Sequence, residues 1–373
     1  MIRLIQNELK KIVFRPLFLV LLGVLMSFVL FIGLISPIFD TTYFAWKERY
    51  RNPELSSQSE WVTGIDAIRL NKEYTKAYEG IWTDAKLTNY ATELQTAILE
   101  GENYTKSIAQ FGPVEYLLQK AFNPDNSIKT LGEMFPSLGE PLYFGWAEGF
   151  CKAVENSNLF LGFFITLLVI VGVAPVFCDE YQYKTDALLY SAKLGKTQML
   201  LAKIVSVFIF TVGITLLMYL MQFVFSGIVF GFSGWSQFIQ MTNQYCYYMH
   251  YMTFGQLTVA MIGIMLIAET LIACFTMVSS VLCRNAFSTL AVAGGIFLVG
   301  ILPNMLIDVH AEKWIEFLPI DMVTPLRFFD TYEVYDIAGL SIPQIPAIIF
   351  IVSLLSIICC IAVIIFYKRH EVK

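Results

Sequence analysis

Long apolar runs separated by polar segments dominate the pattern of this 373-residue chain. A helix needs roughly 20 mainly apolar residues to cross the hydrocarbon core of a bilayer. Six segments reach that length: 17–39, 158–178, 204–232, 254–282, 286–307 and 345–367. The pattern therefore predicts an all-α polytopic membrane protein with six transmembrane helices.

The segment before the first apolar run is amphipathic. Apolar residues at positions 2, 5, 9 and 12 share one helical face, and basic or polar residues share the other. This predicts an interfacial helix over 1–16, with Pro16 allowing a bend into the first span. The run 17–39 exceeds the roughly 7–15 apolar residues of a signal peptide, and no small-residue cleavage site follows it. We therefore expect a retained span.

One long segment, 40–157, separates the first two spans. It mixes charged and apolar positions, and Leu87, Tyr90, Leu94 and Ile98 recur at helical spacing. We expect a mostly helical extracellular domain here. Residues 158–373 then hold spans two to six, with a cytoplasmic loop over 179–203.

Composition supports the membrane assignment, because 57% of the residues are hydrophobic and only 15% are charged. Soluble domains carry about a quarter charged residues, so a soluble enzyme is excluded. The short loops and ends on one side hold 12 Lys or Arg and five acids, whereas the other side holds 13 and 24. The positive-inside rule places both termini in the cytoplasm, and we expect a plasma-membrane location.

Two short motifs resemble catalytic sites without completing them. Leu194-Gly195-Lys196-Thr197 ends like a phosphate-binding loop, but Tyr190 stands where that motif needs its first glycine. Gly231-Phe232-Ser233-Gly234 is similar to the serine motif of rhomboid intramembrane proteases, yet the last span contains no His. The three His residues are at least 60 positions apart, so no metal site is expected. We predict no enzyme activity and no bound cofactor for this chain.

Glu269 is the one acidic residue in the middle of a predicted span. A carboxylate at that depth costs roughly 2.5–3.5 kcal/mol on insertion scales, so it should face protein or a water-filled path. Two interpretations stay open: a substrate-path residue, or a carboxyl that fixes helix packing through Gln222 or Tyr219.

The loop 179–203 combines charges with the apolar run Leu188-Leu189-Tyr190, a pattern typical of a docking surface. Together with the N-terminal amphipathic helix and six spans, it resembles the permease subunits of type-2 ABC exporters. The residues that match the family's coupling loop are Glu180, Thr185, Leu188, Leu189, Ser191, Lys196 and Lys203. Lys184 and Ala192 depart from the family pattern, which has Gly and often Pro there.

The resemblance implies a transport subunit that works with a dimeric cytoplasmic ABC ATPase, a second permease chain and membrane lipid, without nucleic acid. ATP and magnesium would be bound by the ATPase, and its closure would push on the coupling loop. An amphipathic cargo, such as a peptide or a lipid-like molecule, is expected. The alternatives are a sensory or binding protein that uses 40–157 and, less favoured, a rhomboid-like protease.

Overall fold

A computed structural model describes residues 1–32, 60–62, 142–144, 147–183, 195–232, 234–237, 239, 245, 252–283, 285–299, 319–330, 334–337 and 340–369. The helices are α1 (Ile2–Val13), α2 (Pro16–Leu30), α3 (Glu148–Asn156), α4 (Gly162–Val173), α5 (Pro175–Gln182), α6 (Gly195–Phe230), α7 (Phe254–Cys283), α8 (Ala286–Val299), α9 (Pro319–Met322), α10 (Arg327–Asp330) and α11 (Gln344–Arg369), with a π-helical segment, Ser157–Leu161, before α4. The strands are β1 (Glu60–Val62), β2 (Leu142–Phe144), β3 (Val334–Ile337) and β4 (Leu340–Pro343).

Within these residues, four helical segments are long and apolar enough to cross a membrane. They are Gly162–Gln182, Thr197–Phe230, Phe254–Cys283 and Gln344–Arg369. They correspond to the predicted spans two, three, four and six, with ends shifted by up to seven residues. A mostly helical, membrane-embedded protein is therefore confirmed.

The first and fifth predicted spans are less complete among the described residues. Helices α1 and α2 meet at a 62° bend and give a fifth candidate span only if they are counted together. Pro16 is the first residue of α2, where its missing N–H breaks no helical hydrogen bond. Helix α8 is apolar but short, and residues 300–307 of the predicted fifth span lie outside the described residues.

Helix α7 lies at the centre of the bundle and contacts α4, α6, α8 and α11. Two apolar clusters lie at different levels of the bundle. One contains Phe18, Phe177 and Met277, and the other contains Phe254 and Phe328. The outer faces of the helices keep large apolar side chains exposed, as expected where lipid is the solvent.

The second span passes from α4 to α5 at Pro175, and a side chain of α7 hydrogen-bonds to the backbone beside this proline. Pro175 has no N–H to donate, so a regular helical hydrogen bond is lost there. The Ser280 hydroxyl donates to the Ala174 carbonyl at 2.6 Å and accepts from the N–H groups of Phe177 and Cys178 at 3.1 and 3.2 Å. This exchange joins α5 to α7.

Glycine permits close backbone contact at the end of the bundle opposite α5. A Cβ on Gly162 would lie 1.9 Å from the carbonyl oxygen of Val323, and one on Gly149 would lie 2.1 Å from that of Gly231. Gly231 and Gly234 have φ angles of 93° and 98°, a region that favours glycine. These angles account for both glycines of the motif at 231–234 without any catalytic role.

Two short pairs of antiparallel strands accompany the helices. Strand β1 pairs with β2, with Glu60 opposite Phe144 and Val62 opposite Leu142. Strand β3 pairs with β4, with Ile337 opposite Leu340. The first strand pair brings together Val62 and Leu142, which are 80 positions apart within 40–157. The helix predicted at 87–98 lies outside the described residues.

Candidate functional site

A buried lysine joins three helices at the end of the bundle where α5 ends and α6 begins. The Nζ of Lys203 on α6 lies 3.2 Å from Oε2 of Glu8 on α1 and 3.0 Å from Oε1 of Glu180 on α5. It also donates a hydrogen bond to the Val176 carbonyl. The three charged side chains are at most 6% exposed. We call Lys203, Glu8 and Glu180 the Lys203 cluster.

The surroundings stabilise the charged form of Glu8. Burial would raise the pKa of the Glu8 carboxyl, but the ammonium groups of Lys203 and Lys11 outweigh burial, so the pKa lies below its ordinary value. The Lys203 ammonium also lies 5.4 Å from the centroid of the Phe177 ring, in a cation–π contact. The cluster therefore holds a buried ion pair beside an aromatic ring.

A fourth helix and a second ion pair extend the Lys203 cluster. The Tyr367 hydroxyl of α11 donates to Oε2 of Glu180 at 3.3 Å. Arg15 pairs with Asp179, which ties the α1–α2 bend to α5. A pocket of about 300 Å³ borders these groups. Three carboxylates and three cations line it, so the pocket carries no net charge.

The coupling residues predicted from the sequence divide into two sets. Glu180 and Lys203 are buried and paired with each other, so their side chains do not form an exposed docking surface. Thr185, Leu188 and Leu189 lie outside the described residues, which resume at Gly195. Lys196 belongs to the first turn of α6. Residues 184–194 thus connect two helix ends that the Glu180–Lys203 pair holds together.

Glu269 lies at the middle of α7 and is completely buried. The Thr166 hydroxyl of α4 donates to its Oε1 at 2.6 Å. Its Oε2 has no hydrogen-bond partner among the described residues. The carboxyl therefore joins α4 to α7 and keeps one oxygen available.

The two partners expected for Glu269 make no hydrogen bond to it. The Gln222 amide donates to Ser226 one turn along α6, at 3.1 Å. Tyr219 is buried, and its hydroxyl has no hydrogen-bond partner in the described structure. The hydrogen bond to Glu269 comes from Thr166, which the sequence did not indicate, because threonine is common in apolar helices.

Glu8 and Tyr367 are the other residues that sequence reasoning missed. A signal for Glu8 was present: it lies between Ile5 and Ile12 on the apolar face of α1, where an acid needs a partner. Tyr367 gave no signal, because aromatic residues are common at the ends of spans.

The described residues contain no group of three His, Cys, Asp or Glu side chains that could hold a metal ion. Cys246, which the sequence offers as a possible disulfide partner of Cys151, lies outside the described residues. Ser233 of the protease-like motif lies outside them as well.

Comparison with known proteins gives one result. A family model described as "Protein of unknown function (DUF2705)" matches residues 146–371, which is more than half of the chain. The chain belongs to the DUF2705 family. The part that matches DUF2705 contains Glu180, Lys203 and Glu269, whereas Glu8 precedes it. No curated protein and no solved structure matches the chain.

Proposed function

We propose that the chain is the permease subunit of an ATP-driven ABC exporter of the type-2 class. It would lie in the plasma membrane with both termini in the cytoplasm and move an amphipathic cargo, such as a peptide or a lipid-like molecule. A separate dimeric ATPase would bind ATP and magnesium, and a second permease chain would complete the path.

The observation that carries this proposal is the position of the Lys203 cluster. Glu180 and Lys203 both belong to the predicted coupling loop 179–203, on either side of residues 184–194, and the two are joined by an ion pair. Glu8 adds the N-terminal helix to the same cation. A force on 184–194 would then reach α1, α5 and α6 together, which suits a rigid-body mechanism.

The predicted coupling residues take two roles in this scheme. Thr185, Leu188, Leu189 and Lys196 would meet the ATPase. Glu180 and Lys203, being buried, would transmit the movement to the spans. Gln222 and Tyr219 on α6 and Glu269 on α7 would then lie on the substrate path or beside it.

Co-purification of the partner tests the proposal. The full-length chain, tagged and extracted from its native membrane, should bring down an ABC ATPase in stoichiometric amount. The combined change Leu188→Asp and Lys196→Glu should abolish this binding. The matched control is Lys152→Glu, a charge reversal on α3 at the other end of the bundle, which should leave binding unchanged.

If the wild-type chain brings down no ATPase, or if it hydrolyses ATP alone, the exporter assignment is wrong. Binding of an extracellular ligand to 40–157 without any ATPase would instead support the sensory alternative. The protease alternative has its own test, because Ser233→Ala should leave cellular function intact if the chain is a transporter.

A further inference from the structure

Two thiols from different spans are in contact inside the bundle. The Sγ of Cys274 on α7 lies 3.4 Å from the Sγ of Cys360 on α11. Each cysteine is nine residues before the last residue of its helix, so the two lie at the same depth, about 14 Å from the helix ends at 1.5 Å per residue. A disulfide needs the two sulfurs at about 2.05 Å, so an approach of about 1.4 Å would close the bond.

The Cys274–Cys360 pair is accessible from outside the bundle on the α11 side. Cys274 is buried, but Cys360 is only partly buried, and its neighbours Ile357 and Ile361 are 57% and 50% exposed. This face of α11 is mostly apolar, with Ser353 one turn before Ile357, so a reactant that reaches it from lipid must be soluble in the hydrocarbon core.

An apolar pocket of about 210 Å³ lies between α7, α8 and α11 and is lined by the residues next to the two cysteines in the sequence, not by Cys274 or Cys360 themselves. Phe275 and Thr276, which directly follow Cys274, line it together with Cys359, the neighbour of Cys360. The pocket can therefore receive a small, flat apolar molecule next to both helices. It offers nothing to a charged reactant such as glutathione.

We infer that Cys274 and Cys360 form a redox-active dithiol site that a lipid-soluble quinone oxidises to a disulfide. Two S–H bonds break and one S–S bond forms. The two thiols give up two electrons and two protons, and the two quinone oxygens take them up as the quinone becomes a hydroquinone. The product is a covalent link between α7 and α11. The inference does not depend on the proposed function.

Treatment of the full-length chain in membranes with decylubiquinone tests the inference. Free thiols are then alkylated, and the peptides are mapped by mass spectrometry. We expect a linked Cys274–Cys360 peptide in the wild-type chain, which needs no variant that could misfold. Oxidised glutathione, which is confined to water, should produce none.

Two variants sharpen the result. Cys283→Ala, the matched control at the end of α7, should keep the linked peptide, and Cys360→Ala should lose it. Absence of the peptide in the wild-type chain treated with decylubiquinone overturns the site. A link through Cys359 or Cys283 overturns the pairing, and equal reaction with oxidised glutathione overturns the choice of a quinone.

Discussion

Lys203 shows how one buried cation can depend on its surroundings. Its ammonium group has two carboxylates, a backbone carbonyl and an aromatic face around it. Taking such an ion out of water costs several kcal/mol, which its partners must repay. Removing the lysine alone would leave the buried Glu180 without its cation and Glu8 with only the exposed Lys11 as a counter-ion.

We predict that Lys203→Met lowers the free energy of unfolding by about 3–5 kcal/mol, the usual cost of removing one member of a buried ion pair. Thermal or denaturant unfolding of the purified chain measures it. Adding Glu8→Gln and Glu180→Gln to Lys203→Met should restore much of the loss, because no uncompensated charge remains. Equal instability of the single and triple variants would show that Lys203 acts through packing alone.

Glu269 gives a second prediction at this scale. Glu269→Gln keeps an oxygen that can accept the Thr166 hydrogen bond but removes the ionisable group. If Glu269 serves the substrate path, transport should fall by about an order of magnitude at every pH while folding is retained. The matched control is Thr166→Val, which removes the hydroxyl that donates to Glu269 and leaves the Glu269 carboxyl in place. Unchanged transport by Glu269→Gln from acid to alkaline pH would leave only the packing role.

At the scale of the element, apolar length predicts most of the helices, and local chemistry sets their ends. The apolar run of the second span shows no interruption that hydropathy would reveal, yet Pro175 divides it into α4 and α5. The hydroxyl of Ser280, 106 positions further along the chain, hydrogen-bonds to the Ala174 carbonyl at that point. Such a pairing depends on the register between helices, which one sequence does not encode locally. For the same reason Glu269 was found as a lone mid-span acid, whereas its partner Thr166 was not.

Helix contact at Gly162 allows a test at this scale. We predict that Gly162→Ala lowers the free energy of unfolding by about 1–3 kcal/mol, the cost of overpacking, because its Cβ would meet the Val323 carbonyl. Gly263→Ala on α7 is the matched control, since no atom lies within 4 Å of its added Cβ. A fall in the thermal midpoint for both variants, or for neither, would contradict the contact.

At the scale of the whole molecule, the pairing of β1 with β2 brings together the two ends of the segment 63–141. Val62 and Leu142 are paired, so the chain leaves and returns at one place. The sequence predicted the existence and bounds of a long external segment from the spacing of the spans. It did not predict this pairing, because strands of three residues leave almost no periodic signal.

We predict that the segment 63–141 can be replaced by Asn-Gly, a two-residue turn suited to an antiparallel hairpin. The shortened chain should still enter the membrane and unfold at the same temperature, and under the proposed function it should still bring down an ABC ATPase. The thermal midpoint and co-purification measure this. If the shortened chain loses both its thermal stability and its ATPase binding, 63–141 helps to form the bundle. If it keeps ATPase binding but the cell loses a response, 63–141 recognises a ligand.

The Lys203 cluster also sets an order of events during synthesis. Glu8 belongs to the first helix that the ribosome makes, but its counter-ion is 195 residues further along the chain. Until α6 has emerged, the Glu8 carboxylate on the apolar face of the first helix has only the exposed Lys11 of its own helix as a counter-ion, so burying it carries a larger penalty. The N-terminal helix should therefore reach its final position only after the third long helix has been inserted. A ribosome stalled before Lys203 would leave α1 open to proteases.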